Sequence, residues 1–319
     1  MRILILLLLH LLLLPNCAYR DTPTESLHTV SRVFYLMGTN LEFNLICNDR
    51  KQCLDAINRS VSEAKRIDKI FSNYRNDSEL SNLSIKSGAR IKVSKEFFEL
   101  TAFSVFMSAL TNGAFDISVG PLVKLWKNES KNNRIQDKLS VENIRTNCIG
   151  TDKLSLYSRE SEIGFKSHCI RLDYGGIGKG YVLQRIVKLL EQTNIKNGLI
   201  NFGGNIHALG TDLQGKPWVV NIKDPRDNNK FIKTINVINK SVSTSGGYER
   251  YFLVDGKKYS HIIDPRTGLP VSHLSSVTVV SESPLFADAL STAFSVLNIE
   301  ESKKIIDKLD KLGFHRVPY

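Results

Sequence analysis

No stretch of this sequence is rich enough in Pro, Ser or Gly to act as a linker, and none repeats, so nothing divides the chain into separate domains. The chain also lacks a CxxC pair and any Cys/His spacing suited to zinc, which argues against a zinc site. GxGxxG is absent. GxxxxGK(S/T) is absent too, because Gly180 follows Lys179 where a hydroxyl residue is needed. The two standard phosphate cradles are thereby set aside. Positive charge is in excess, at +11, but the lysines are scattered and form no basic stripe interleaved with aromatics. The excess therefore reads as a solvated surface suited to anionic lipid or phosphate-bearing ligands, with no nucleic-acid partner expected.

No apolar run is long enough to span a bilayer. After Arg2 the chain is apolar from Ile3 to Leu14 except at His10, 12 residues in all, against the roughly 20 that a spanning helix needs. Residues 1–18 thus read as a signal peptide, which predicts an exported, periplasmic protein. The following Leu14-Pro15-Asn16-Cys17-Ala18 allows two cleavages. Cleavage before Cys17, with lipidation of that cysteine, would anchor the protein to the inner membrane as a lipoprotein; cleavage after Ala18 would release it. Residues 19–30 are a polar segment, and 31–319 form one intertwined domain. Without Cys17, four cysteines remain: Cys47, Cys53, Cys148 and Cys169. An exported compartment permits two bridges, and buried thiols are the alternative. At 42% apolar and 24% charged, the 319 residues can bury a full core.

Alternation over Val33 to Cys47 predicts strands interrupted at Met37-Gly38-Thr39. Asp49 caps a helix whose apolar positions recur every three or four residues, and Ser94 begins a second that stops at Asn112-Gly113. Tyr74 sits in a polar loop, and Asp116 lies between apolar neighbours, where it needs a partner; capping is its plain reading. Residues 127 to 147 read as a polar loop with a short helix starting near Ser140. Lys153 to Tyr157, Glu162 to Lys166 and Cys169 to Leu172 read as a meander. Asp173-Tyr174-Gly175-Gly176-Ile177-Gly178-Lys179-Gly180 then leads into a helix through about Gln192, a glycine turn suited to tight packing or to an anion at a helix start. Further strands are expected at 199–201, 218–222, 233–238, 241–243 and 276–281, with a hairpin around Asp255-Gly256 and a last amphipathic helix from Glu300 to Leu312. Meanders and helices in separate blocks predict α+β, with antiparallel or mixed sheets and helices packed on them.

The densest chemistry lies in Lys258-Tyr259-Ser260-His261-Ile262-Ile263-Asp264-Pro265-Arg266-Thr267-Gly268. Its Pro/Gly turn would hold His261 at a sheet edge. Ser283-Pro284 then opens an apolar helix on which Asp288 and Thr292 stand four residues apart on one face, a carboxylate and a hydroxyl suited to a hard cation.

In series these stretches resemble one family, the FAD:protein FMN transferases known as ApbE. The matching pieces run from Met37-Gly38-Thr39 through Ser72-Asn73-Tyr74, Gly113-Ala114-Phe115-Asp116 and Leu172 to Tyr181. They continue through Asn201-Phe202-Gly203-Gly204-Asn205, Thr244-Ser245-Gly246, Tyr259 to Gly268 and Ala287 to Ala293. The resemblance implies a T-fold-like α+β domain that takes FAD and Mg²⁺, transfers FMN to a Ser or Thr hydroxyl of a membrane or exported redox subunit, and releases AMP. By position, Asp288 and Thr292 with the Gly176 carbonyl would hold Mg²⁺, and His261 would be the base. Flavin contacts implied in the same way are Met37, Tyr74, Ala114, Phe115 and Asp116. Asp173, Lys179 and the Ile262 backbone complete them, with Tyr74 stacked on the ring and Lys179 at a phosphate. Gly178 stands where alanine is common. The chain stops at Phe314-His315-Arg316-Val317-Pro318-Tyr319, where similar proteins continue into a closing strand, so either a shorter sheet edge or a differently paired end is expected.

Two other functions share these residues. Water in place of the acceptor hydroxyl would make a Mg²⁺-dependent FAD pyrophosphatase giving FMN and AMP, and loss of turnover would leave an exported FAD-binding protein.

Overall fold

The computed structural model describes residues 27–83, 85–133, 137–247, 251–271 and 276–312. The leader over 1–18, Cys17, and the chain end from Phe314 to Tyr319 lie outside those residues.

Alternation of apolar and polar side chains sets the first hairpin. Strand β1 (His28–Leu36) runs antiparallel to β2 (Thr39–Cys47) through the turn Met37-Gly38. Leu41, Phe43 and Leu45 share one face of β2 and are buried. Asp49 caps α1 (Arg50–Phe71) by accepting from the Lys51 N–H at 2.8 Å, a contribution of about 1 kcal/mol. Buried Ile57, Val61, Ala64 and Ile67 then recur at helical spacing and fix the face that α1 turns inward.

Next along the chain come β3 (Arg90–Lys92), α2 (Lys95–Leu110), α3 (Gly120–Asn132), α4 (Lys138–Cys148), β4 (Leu154–Tyr157) and β5 (Glu162–Phe165). After α5 (Gly178–Glu191) come β6 (Asn197–Phe202), β7 (Asn205–Leu209), the ribbon β8 (Trp218–Asp224) with β9 (Asp227–Val237), and β10 (Lys240–Gly246). The hairpins β11 (Tyr251–Val254) with β12 (Lys257–Ser260) and β13 (Ile263–Asp264) with β14 (Leu269–Pro270) precede β15 (Ser276–Ser281), α6 (Pro284–Val296) and α7 (Ile299–Lys311).

Strands β1-β2-β6-β7-β10-β15 form a wholly antiparallel sheet. Helices α1, α5 and α6 pack side by side against it. The ribbon β8–β9 sets Val220, Ile222 and Val237 against Ala208, Val242 and Val280 of the sheet. This is the α+β architecture expected from the sequence.

Several local expectations change. The stretch read as a polar loop with a short helix near Ser140 holds that helix as α4, and also the second half of α3, which starts at Gly120 and buries Leu122 and Trp126 against Val141 and Ile263. Cys169 to Leu172 is no strand of the meander; Arg171 makes one parallel bridge to Val119, and β3 takes the third place beside β5. His261 does not stand at an edge of the main sheet, because β12 and β13 belong to separate small hairpins. The cysteines pair as Cys47–Cys53 and Cys148–Cys169, with Cα atoms 6.2 and 5.2 Å apart.

Candidate functional site

The site is built where the glycine turn before α5 meets α6. Tyr174 anchors that turn: it is buried, its hydroxyl shares a hydrogen bond with Thr101 Oγ1 at 2.7 Å, and its ring lies edge-on to Phe71 and Phe97. Burial pushes the phenol well above its ordinary value. With Tyr174 fixed in the core, Gly175 and Gly176 are held at the rim.

Asp288 and Thr292 reach the turn from α6. Asp288 is 1% exposed, and its Oδ2 accepts the Gly180 N–H at 2.7 Å while Oδ1 faces the Lys179 ammonium at 3.8 Å. Thr292 donates its hydroxyl to the Gly176 carbonyl at 3.2 Å. Two glycines permit this approach. A Cβ on Gly180 would lie 2.5 Å from the Asp288 Cβ and 2.6 Å from the Pro284 carbonyl oxygen. One on Gly176 would lie 3.0 Å from Thr292 Cγ2 and 3.3 Å from the Phe115 ring, filling the cradle. The donors available are a carboxylate, a carbonyl and a hydroxyl oxygen, so the set fits a small hard dication and suits a thiophilic metal poorly. Among the described residues no group of three or more His, Cys, Asp or Glu forms an alternative metal cluster.

Beside this cradle lies a crevice of about 510 Å³ lined by Met37, Gly38, Asp68, Ser72, Tyr74 and Arg75. Met37 Cε comes within 3.6 Å of where a Cβ on Gly178 would sit, which joins the crevice to the start of α5. Tyr74 is 81% exposed, more open than a half-exposed loop aromatic, and the Lys127 ammonium lies 5.0 Å from its ring centre. Half-buried Asp173 accepts from the Gly175 N–H at 2.7 Å. Burial pushes its carboxyl up, while Gly175, Asn73 and the charge of Lys127 pull it back.

The remaining predicted contacts are placed differently. Ala114 and Phe115 are buried, and Phe115 edges Gly176. Asp116 points into the fold: it accepts from the Ser118 N–H at 2.7 Å, the Ser118 hydroxyl at 2.6 Å, the Thr151 N–H at 3.1 Å and the Ser108 hydroxyl at 3.3 Å. Its carboxylate thus shapes the loop that carries Ala114 and Phe115, although burial raises its pKa. The Ile262 backbone is committed on both sides, its N–H donating to Ser260 Oγ at 3.0 Å and its carbonyl accepting from the Val271 N–H at 3.0 Å. Half-buried His261 precedes a turn braced by Arg266, which bonds Asp264 and Glu301, and by the Trp126 indole on the Gly268 carbonyl. Arg266 Cγ lies 3.7 Å from where a Cβ on Gly113 would sit, so the His261 segment borders the Ala114 loop.

Sequence reasoning missed Asp68, Arg75 and Lys127. No signal marked Lys127, because the sequence reads residue 127 as the start of a polar loop.

A family model described as the ApbE family matches residues 37–314. The chain belongs to the ApbE family. Among its ApbE relatives, the FAD:protein FMN transferase of Haemophilus influenzae is 31% identical over 253 residues, covering 76% of this chain and 73% of its own length. That of Treponema pallidum is 33% identical over 251 residues, covering 73% and 68%. The crystal structure of the ApbE protein from Thermotoga maritima superposes with a TM-score of 0.80 at 29% identity, covering 90% of this chain and 93% of that one. The flavin transferase ApbE from Vibrio cholerae gives 0.78 at 28% identity, covering 89% and 92%.

Proposed function

We propose that this chain moves the FMN moiety of FAD onto a serine or threonine hydroxyl of a target protein, with Mg²⁺, and releases AMP. The observation that carries this reading is the meeting of Asp288, Thr292 and the Gly176 carbonyl beside Lys179, in an ApbE chain whose relatives are FAD:protein FMN transferases. In the step itself the acceptor oxygen attacks the FMN-side phosphorus of FAD. The bond from that phosphorus to the oxygen bridging to AMP breaks, and AMP leaves with that oxygen. His261 takes the hydroxyl proton, since imidazole is the side chain whose ordinary pKa lies near neutrality.

Bound at the Asp288 carboxylate, the Thr292 hydroxyl and the Gly176 carbonyl, Mg²⁺ would neutralise charge that develops on the diphosphate. Lys179 offers an ammonium to a phosphate oxygen. The exposed Tyr74 ring supplies a stacking surface for the isoalloxazine, next to Met37 in the same crevice. The Phe115 ring borders the cradle at Gly176, and Asp173 holds the neighbouring Gly175 N–H.

The apolar run from Ile3 to Leu14 supports export, and Cys17 supports a lipid anchor at the inner membrane, which would bring the enzyme close to a membrane redox subunit. Intact mass of the mature N-terminus tests this: a lipid on Cys17 supports the anchor, and an N-terminus at Tyr19 contradicts it. The metal assignment is tested by Asp288→Ala, which should abolish Mg²⁺-dependent AMP release while the protein stays folded. Undiminished turnover would remove the cradle from this account.

A further inference from the structure

Asp288 is the most deeply buried carboxylate of the site, yet its two oxygens are held unequally. Oδ2 takes a 2.7 Å hydrogen bond from the Gly180 N–H. Among the described residues, Oδ1 faces the Lys179 ammonium at 3.8 Å, longer than a hydrogen bond. The Lys179 side chain is 28% exposed against 2% for Asp288, so the lysine reaches in from the solvent side while the carboxylate cannot move out to meet it. A buried carboxylate needs a compensating charge, and in this state Lys179 provides it.

We infer that Lys179 is an exchangeable counter-ion for Asp288, which occupies the carboxylate until a divalent cation replaces it and a diphosphate draws the ammonium away. The inference rests on the metal reading of Asp288 given above and adds a regulation of that same site. An ammonium and a dication cannot both sit against Oδ1, because they repel each other at a few ångströms and share one buried carboxylate oxygen. Lys179 therefore opposes Mg²⁺ as long as no other anion is present. The FAD diphosphate supplies that anion at the position where α5 begins. Once Lys179 pairs with it, Asp288 is left to the metal. The two ligands then favour each other's binding, and by linkage each raises the other's affinity by the same factor. The lysine is thus a gate on metal loading as well as a phosphate contact.

Unlike a purely supportive lysine, this one should weaken metal binding. The test is a calorimetric titration of the full folded chain with Mg²⁺ alone, repeated with Mn²⁺ followed by electron paramagnetic resonance, in the wild type, Lys179→Met, Lys179→Arg and Asp288→Ala, each with and without FAD. In the absence of FAD, Lys179→Met should bind Mg²⁺ about tenfold more tightly than the wild type, and Lys179→Arg, which keeps the charge, should stay near wild type. The factor by which FAD raises Mg²⁺ affinity should shrink in Lys179→Met. Mg²⁺ affinity in Lys179→Met that is unchanged or weaker, where binding still depends on Asp288, overturns the exchange while leaving the metal site in place. Wild-type affinity in Asp288→Ala removes the metal reading itself. Thermal denaturation of metal-free Lys179→Met adds a check, because the loss of its counter-ion should lower the midpoint and Mg²⁺ should restore it; a midpoint equal to wild type without metal contradicts the pairing.

Discussion

Gly180 and Asp288 meet at the crossing of α5 and α6 so closely that the backbone of one helix hydrogen-bonds the side chain of the other at 2.7 Å, with no room for a methyl group between them. The contact sets the spacing of the two helices that carry Lys179, Asp288 and Thr292. Gly180→Ala should therefore destabilise the fold by about 1–3 kcal/mol despite alanine's higher helix propensity. Gly178→Ala, whose Cβ would meet only Met37 Cε at 3.6 Å, should be neutral or stabilising. Urea denaturation of the two variants checks the contrast, and equal effects would contradict the close crossing.

Asp116→Asn tests whether this carboxylate acts through the fold. Its four donors leave nowhere for an amide to point without placing an N–H against another donor. The variant should lose about 1–3 kcal/mol, with weaker FAD binding as the Ala114-Phe115 loop loosens. A variant of wild-type stability would show that the network contributes little.

Much of this architecture was legible in the sequence. Helices α1, α2 and α6 announced themselves because their caps, Asp49, Ser94 and Ser283, precede apolar positions at helical spacing. Helix α3 did not, because it buries only Leu122, Trp126 and Glu129 and is otherwise polar. Strand β7 escaped because His207 interrupts its apolar run, and its burial comes from neighbours far along the chain. The approach of Asp288 and Thr292 to the glycine turn was readable from the i,i+4 pair on α6 together with the matching family motifs. The Asp116 network and the Cys148–Cys169 bridge were not, since both depend on loops that only the packed fold brings together.

Histidine 207 gives a pH prediction. It is 4% exposed, its Nδ1 shares a hydrogen bond with Ser241 Oγ at 2.8 Å, and burial lowers its pKa from 6.5 to about 4. The unfolded chain then binds a proton more readily than the folded one between those values. Stability from this group is complete above about pH 6.5 and is lost as pH falls towards about 4, by about 3 kcal/mol at most. Urea unfolding at pH 7 and pH 4.5 should show a smaller drop in His207→Gln than in the wild type. The same drop in both would assign the acid sensitivity to other groups.

The central claim is that AMP release is coupled to acceptor modification. The measurement that tests it most directly is to incubate the purified domain with FAD and Mg²⁺, with and without a Ser/Thr-bearing redox subunit, and to follow AMP together with covalent flavin by mass. The account predicts AMP only when the acceptor is present, matched mole for mole by FMN on a Ser or Thr of that subunit. AMP and free FMN appearing equally without the acceptor would contradict it and make hydrolysis the activity.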